Sequence, residues 1–276
     1  IIGGPPCQSF STVGQRNYDE KAQLYTEYLR VLKIARPKMF LFENVRGILS
    51  MREIFYKRDA AGNILYELKD VEGRESLTPR KKPVIDHYGK SVMEILNDQF
   101  SNLGNGLGYN IWTERLNAMD YGVPENRERV FIVGIRNDLN LKWNCPPKEK
   151  SAHLTIKDAI SDLPEVLEGQ SISSYQQLPQ NKYQELMRHG SNELTQHFCG
   201  CYSEKIRAVI QHVKQGEGKN EFNALVDSGK IDKSYRLTSG YANTYGRLIA
   251  DQPSPTITNN LTTVSSLRCI CLLYTS

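Results

Sequence analysis

Ile1-Ile2-Gly3-Gly4-Pro5-Pro6-Cys7-Gln8-Ser9-Phe10-Ser11 opens the chain, and Leu41-Phe42-Glu43-Asn44-Val45 follows it after one helix-like stretch. The apolar Ile1-Ile2 stub reads as the end of a buried strand, and residues 5 to 20 read as a polar, Gly-containing loop. Lys21 to Ala35 carries Leu24, Tyr25, Tyr28, Leu29, Val31, Leu32 and Ile34, positions that suit a helix with a broad apolar face. Arg36-Pro37 stops it. Met39 to Phe42 is a short apolar run before Glu43, the pattern of a buried parallel strand. Strand, helix and strand make one crossover unit, which is almost always right-handed. Cys7 and Glu43 then leave the carboxyl ends of neighbouring strands, where open α/β sheets bind their ligands.

Working outward, residues 52 to 90 read as an insertion. Ala60-Ala61-Gly62-Asn63 looks like a turn between Ile54-Phe55-Tyr56 and Ile64-Leu65-Tyr66, which predicts a hairpin. A polar, basic stretch follows, with Arg74, Arg80, Lys81, Lys82 and Lys90; it suits phosphate contacts or a solvated loop equally. Ser91 caps a helix to about Leu103, and Gly104, Gly106 and Gly108 end it. Tyr109 to Leu116 and the apolar Val130 to Ile135 read as strands. Beyond Arg136 the pattern weakens: Thr155 to Leu163 and Ser203 to Val213 look helical, and Gly216 to Tyr245 is polar. A soft boundary falls near residue 140, with a return to the first domain near residue 246.

The 276 residues are enough for one large domain or two modest ones. Hydrophobic residues at 39% and charged residues at 24% fit an ordinary globular protein. The longest apolar runs are far too short to cross a membrane as a helix. A net charge of +4 and a pI near 8.6 point only weakly to nucleic acid. Six cysteines in this length do not make a disulfide scaffold. Cys199 and Cys201, one residue apart with His197 upstream, lack zinc-site spacing and read as structural thiols, so no metal is expected.

Three elements carry chemistry. Cys7 sits in a loop that two glycines let turn and two prolines stiffen, beside Gln8, Ser9 and Ser11. A thiolate is the reactive form of cysteine. No His is near in sequence, which weakens a thiol-hydrolase reading that wants a Cys-His pair. Glu43 ends an apolar run, as a helix-cap partner or a site residue. Asp120-Tyr121-Gly122-Val123-Pro124-Glu125-Asn126-Arg127-Glu128-Arg129 precedes the strand at Val130, and the alternation of Arg127 and Arg129 predicts a shared face. Two guanidiniums there would hold a phosphate or a carbonyl oxygen, or else lie solvated beside Glu125 and Glu128.

Taken in order, Gly-Gly-Pro-Pro-Cys-Gln-Ser-Phe-Ser, Glu-Asn-Val and Asn-Arg-Glu-Arg resemble the DNA cytosine-5 methyltransferase family. Tyr245-Gly246-Arg247-Leu248 and Pro253-Ser254-Pro255-Thr256-Ile257-Thr258 agree with it. The resemblance covers roughly residues 1 to 140 and 244 to 260. It implies an α/β, Rossmann-like S-adenosylmethionine-dependent methyltransferase fold, partial here, with a smaller target-recognition domain at 141–243. It further implies that double-stranded DNA presents a flipped cytosine, that Cys7 attacks C6, and that Glu43 holds N3 and the exocyclic amine. Arg129 would contact cytosine O2, and Arg127 would anchor the loop and sugar-phosphate. Gln8 and Ser11 would lie near the DNA backbone, Arg247 and Thr256 would brace the target-recognition region, and Pro6 would touch the methyl donor, S-adenosylmethionine. The implied setting is a monomeric, cytoplasmic and nucleoid-associated enzyme of bacterial or phage restriction-modification type, with a possible cognate endonuclease. An RNA (tRNA) cytosine-5 methyltransferase and an inactive nucleic-acid-binding fragment are the alternatives.

Three departures qualify the resemblance. The Gly-rich turn and ribose-binding acid that the family carries before this point are not in the chain, nor is its C-terminal Gly-Asn motif. Weak methyl-donor binding by the isolated chain is the expectation. Residues 261–276 read as an atypical tail from a read-through frame. Glu125 stands where the family usually has Gln.

Overall fold

The computed structural model describes residues 1–6, 24–69, 80–191, 193–240, 244–257, 264, 270 and 273–275. The chain divides into two units, one of residues 1–116 and 128–147, the other of residues 117–127 and 148–276. Both are built from helices and strands, so the class is α/β.

In the first unit, β1 (Ile2–Gly3) is followed by α1 (Tyr25–Ala35) and β2 (Met39–Val45). β1 and β2 pair in parallel, Ile2 with Leu41 and Gly3 with Phe42. The crossover reading of the sequence is therefore the observed topology. Arg36 ends α1 in the left-handed conformation (φ 46°), its N–H on the Leu32 carbonyl. β2 runs three residues further than the apolar run suggests, so Glu43 lies inside the strand and not beyond it. The reason is alternation: Phe40, Phe42 and Asn44 are buried, while Leu41, Glu43 and Val45 point to a half-buried face that accepts polar groups.

The sequence between these strands and the next helix forms paired arms. They are β3 (Arg52–Tyr56), β4 (Tyr66–Lys69), β5 (Arg80–Pro83) and β6 (Ile85–Ser91). The expected hairpin of 54–56 with 64–66 is not made. β3 pairs with β6, and β4 with β5. The predicted turn does form, tightened by Asp59, whose carboxylate accepts from the Ala61 and Asn63 N–H groups. Those bonds hold the Asp59 carboxyl below its ordinary range. The turn is closed by the bridge between Arg58 and Ile64, by the Asp59 N–H on the Asn63 carbonyl and by the Leu65 N–H on the Lys57 carbonyl, while the Lys57 N–H donates to the Val84 carbonyl across the arm.

α2 (Val92–Ser101) starts at a capping box in which Ser91 and Glu94 satisfy each other's backbone N–H groups. β7 (Tyr109–Asn117), β8 (Glu125–Asn126) and β9 (Glu128–Arg136) follow. The main sheet has the order β1-β2-β9-β7, with β9 antiparallel to β2. On its buried face Phe40, Phe42, Phe100, Tyr28 and Tyr109 pack edge to face or tilted, with ring centroids 4.7 to 6.3 Å apart.

The second unit has its own core around Val209, Phe222, Val226 and Ile270. Its elements are α3 (Ile156–Ile160), β10 (Val166–Leu167), α4 (Lys182–Arg188), α5 (Glu204–His212), α6 (Lys219–Asp227), β11 (Ser254–Pro255) and β12 (Tyr274–Thr275). α6 lies in a stretch whose overall polarity hid it; its buried residues are Phe222 and Val226, one helical turn apart. Residues 244–257 group with this unit, because β11 pairs in parallel with β8. Of the tail, Val264 and Ile270 are buried in this core, and β12 pairs with β10. No helix among the described residues is long and apolar enough to cross a membrane.

Candidate active site

Cys7, Gln8 and Ser11 lie outside the described residues. The loop that carries them begins at Gly3-Gly4-Pro5-Pro6, and the structure shows why that opening has its composition. A Cβ on Gly3 would lie 2.5 Å from the Tyr28 ring, and a Cβ on Gly4 would lie 3.0 Å from Glu43 Oε2. Neither glycine has a positive φ. Their role is close approach rather than the sharp turn that the sequence suggested: an aromatic ring crosses one and a carboxylate crosses the other. Tyr28 is fixed from both ends, its ring in the aromatic cluster and its hydroxyl donating to the Leu41 carbonyl at 3.0 Å. Burial, with Tyr109 adding a smaller push, raises its phenol well above the ordinary value, so it remains a neutral donor.

Glu43 and Arg129 meet on the half-buried face of the sheet. In the antiparallel register Arg129 faces Val45 and Glu43 faces Phe131, so the two are diagonal neighbours on one face. Arg129 Nε lies 3.0 Å from Glu43 Oε1, with the side chains 17% and 35% exposed. Arg129 Nη1 donates to the Glu128 carbonyl at 2.8 Å. Among the described residues nothing accepts from Nη2. The pair thus presents a carboxylate oxygen over Gly4 and a guanidinium N–H toward whatever lies beside them.

Asn44 is the residue that sequence reasoning missed. It is 1% exposed, its Nδ2 donates to the Pro5 carbonyl at 3.2 Å, and its Oδ1 accepts from the Val45 N–H. It ties the start of the Cys7 loop to β2. Its signal was available: a polar residue in the buried phase set by Phe40 and Phe42.

Arg127 does not share a strand face with Arg129. It lies between β8 and β9 and belongs to the second unit, so strand alternation does not reach it. Its guanidinium is 3.5 Å from Glu125 Oε1, and its N–H donates to Asn117 Oδ1. Glu125 Oε1 also accepts from the Ile257 N–H at 3.0 Å. The charge that distinguishes Glu125 from the usual Gln is thereby paired. Thr256 Oγ1 donates to the Asn126 carbonyl at 3.0 Å. Arg247 donates from Nε to the Val213 carbonyl at 2.8 Å and from Nη2 to the Ile210 carbonyl, at the carboxyl end of α5, where a cation is favoured. Its guanidinium and Thr256 both make contacts inside the second unit. Pro6 is exposed. His197 is held by the Pro164 carbonyl, and no cluster of His, Cys, Asp and Glu among the described residues is arranged to hold a metal.

A parallel crossover that opens on Gly3-Gly4-Pro5-Pro6, with a Glu–Arg pair on the two strands beside it in the sheet, places the chain in the α/β class. The chain matches the model of the C-5 cytosine-specific DNA methylase family over residues 1–71 and 82–263, and it belongs to that family. It is 34% identical over 224 residues to the Type II methyltransferase M.DdeI of Desulfomicrobium norvegicum, covering 79% of this chain and 45% of that protein. It is 33% identical over 271 residues to the Type II methyltransferase M.AgeI of Thalassovita gelatinovora, covering 88% of this chain and 53% of that protein. The chain spans about half the length of these relatives. Among solved structures, a DNA modification methyltransferase encoded within an E. coli prophage shares the fold, with a TM-score of 0.55 at 22% identity, over 93% of this chain and 61% of that one.

Proposed function

We propose that this chain belongs to an enzyme that methylates C5 of cytosine in double-stranded DNA on a Rossmann-like fold. The Glu43–Arg129 pair, 3.0 Å apart across β2 and β9 at the root of the Cys7 loop, is the observation that carries the reading. A cytosine flipped from the duplex would enter beside them. The Cys7 thiolate adds to C6, forming a C–S bond, and the ring electrons move toward C5 as N3 gains a proton. Glu43 holds that N3 proton and the exocyclic amine. Arg129 donates to O2, using the N–H groups that the Glu43 contact leaves. Once C5 carries the transferred methyl group, loss of the C5 proton and return of the N3 proton to Glu43 expel the Cys7 thiolate and restore the ring. S-adenosylmethionine supplies the methyl group in this reading. The resemblance to the family gives Pro6, exposed in the structure, as the residue that would touch it.

Arg127 holds the sugar-phosphate or the loop, and Gln8 and Ser11 approach the DNA backbone. Arg247 and Thr256 brace the target-recognition region at 141–243. The enzyme acts as a cytoplasmic monomer of restriction-modification type, beside a cognate endonuclease; the Type II names of the relatives support that setting. The test is covalent trapping. With S-adenosylmethionine present, duplex DNA carrying 5-fluorocytosine should form a denaturation-resistant adduct with the full-length protein, lost in Cys7→Ala. An adduct with a 5-fluorocytosine tRNA and none with duplex DNA would assign the RNA reading instead.

A further inference from the structure

We infer that the arm formed by β3 and β6 carries a nucleotide-binding cleft of its own for duplex DNA, separate from the pocket for the target cytosine. The inference rests on the proposal above that DNA is the substrate. A cavity of about 370 Å³ lies in the first unit between the turn that follows β2 and the arm, lined by Gly47, Ser50, Met51, Arg52, Ile54 and Tyr88. Its walls combine one guanidinium, one phenol ring and a small apolar floor. Those are the groups that hold a backbone nucleotide of a duplex from outside: a cation for the phosphate and a ring that packs on the deoxyribose.

Three observations favour DNA as the occupant. The Arg52 side chain makes no hydrogen bond and no close ion pair with any described residue, whereas Arg46, Arg58, Arg115 and Arg136 all do; the carboxylate its charge acts on, Glu94, is engaged by Ser91. Tyr88 is 56% exposed, which leaves its ring open to pack against a sugar of the backbone, and Ile54 faces it directly across the arm. The cleft also joins the candidate active site through the chain. Its turn begins at Arg46, immediately after Val45, and Arg46 pairs with Glu128 at 2.9 Å, next to Arg129. Lys81 and Lys82, exposed on β5, extend the positive charge, while the acidic Asp59 and Asp86 are engaged by the turn and by His87.

The experiment is equilibrium binding of the full chain to duplex DNA over a range of salt, for wild type, Arg52→Ala, Arg52→Lys, Tyr88→Ala and Tyr88→Phe. The cleft predicts that Arg52→Ala weakens binding by about tenfold and reduces the slope of log affinity against log salt by about one. Arg52→Lys should restore the slope. Tyr88→Ala should weaken binding about fivefold or more with the slope unchanged, and Tyr88→Phe should keep the wild-type affinity. Native circular dichroism separates these losses from unfolding. Wild-type affinity and slope in both alanine variants would overturn the inference, as would wild-type protein that binds tRNA in preference to duplex DNA. The proposed chemistry is read separately by the Cys7 adduct: if that adduct forms in both alanine variants at saturating DNA while their affinities equal wild type, this inference fails and the catalytic reading stands.

Discussion

Asn44→Ala removes the tie between the Cys7 loop and β2, and its consequences can be worked through. Asn44 is 1% exposed and makes two bonds: Nδ2 to the Pro5 carbonyl at 3.2 Å, and Oδ1 from the Val45 N–H at 2.9 Å. A neutral hydrogen bond contributes about 1 kcal/mol net, and a group left unpaired costs about 1–3 kcal/mol. The Pro5 carbonyl is only partly buried and can recruit water, so the total loss for Asn44→Ala is about 1–2 kcal/mol. Asn44→Asp keeps the shape but loses the donor and buries a charge, so it should cost about 3 kcal/mol or more. Urea denaturation reads both. Positioning is a separate readout. If Asn44 holds the loop over Glu43, the rate of Cys7 adduct formation at saturating DNA should fall about tenfold in Asn44→Ala after correction for the folded fraction, a change equal to about 1.4 kcal/mol of lost orientation. An adduct rate equal to wild type in folded Asn44→Ala would refute the positioning argument and leave Asn44 a purely structural residue.

Gly3→Ala forces a methyl group into the Tyr28 ring and should destabilise by about 1–3 kcal/mol; a Tyr28→Leu background should remove most of that penalty in a denaturation cycle. Arg188→Ala should destabilise the second unit by about 3–5 kcal/mol, because it strands Asp162, 3% exposed, and abandons the Gln177 carbonyl and the Tyr175 ring. Glu125→Gln should change stability by less than about 0.5 kcal/mol, since an amide oxygen can still accept from Ile257 and the Arg127 pair is part-exposed. The Thr155 hydroxyl and N–H hold the Asp158 carboxyl below its ordinary range. Its folded value is depressed, so its contribution is complete above the unfolded carboxylate pKa and is lost as pH falls through the folded one; Asp158→Asn should flatten acid unfolding in that window.

The crossover was legible because its signals are local. An apolar stub, a helical face, the Arg36-Pro37 stop and an apolar run follow one another, and each has one reading. Helix α2 was legible from Ser91 and Glu94 for the same reason. The pairing of β3 with β6 was not. Local pattern joined Ile54-Phe55-Tyr56 to the nearest run across a good turn, whereas the true partner lies beyond another pair of strands. Glu43 was identified as a site residue but placed past the strand, because a buried run was read as apolar on both faces. Asn44 was hidden by the converse habit: a polar residue in a buried phase was read only as part of a motif. The partners of Arg127 and Arg129 diverge because Arg127 is not in a strand, and that depends on tertiary pairing around Asn117 and Glu125.

The most direct test of the account is the adduct between Cys7 and duplex DNA carrying 5-fluorocytosine, measured in the full-length protein with S-adenosylmethionine and compared in Glu43→Gln and Arg129→Ala. The account predicts a covalent complex in wild type, none in Cys7→Ala, and at least a hundredfold slower formation in each of the other two (about 2.7 kcal/mol of transition-state stabilisation). An adduct that survives Cys7→Ala, or wild-type rates in both Glu43→Gln and Arg129→Ala, would contradict it.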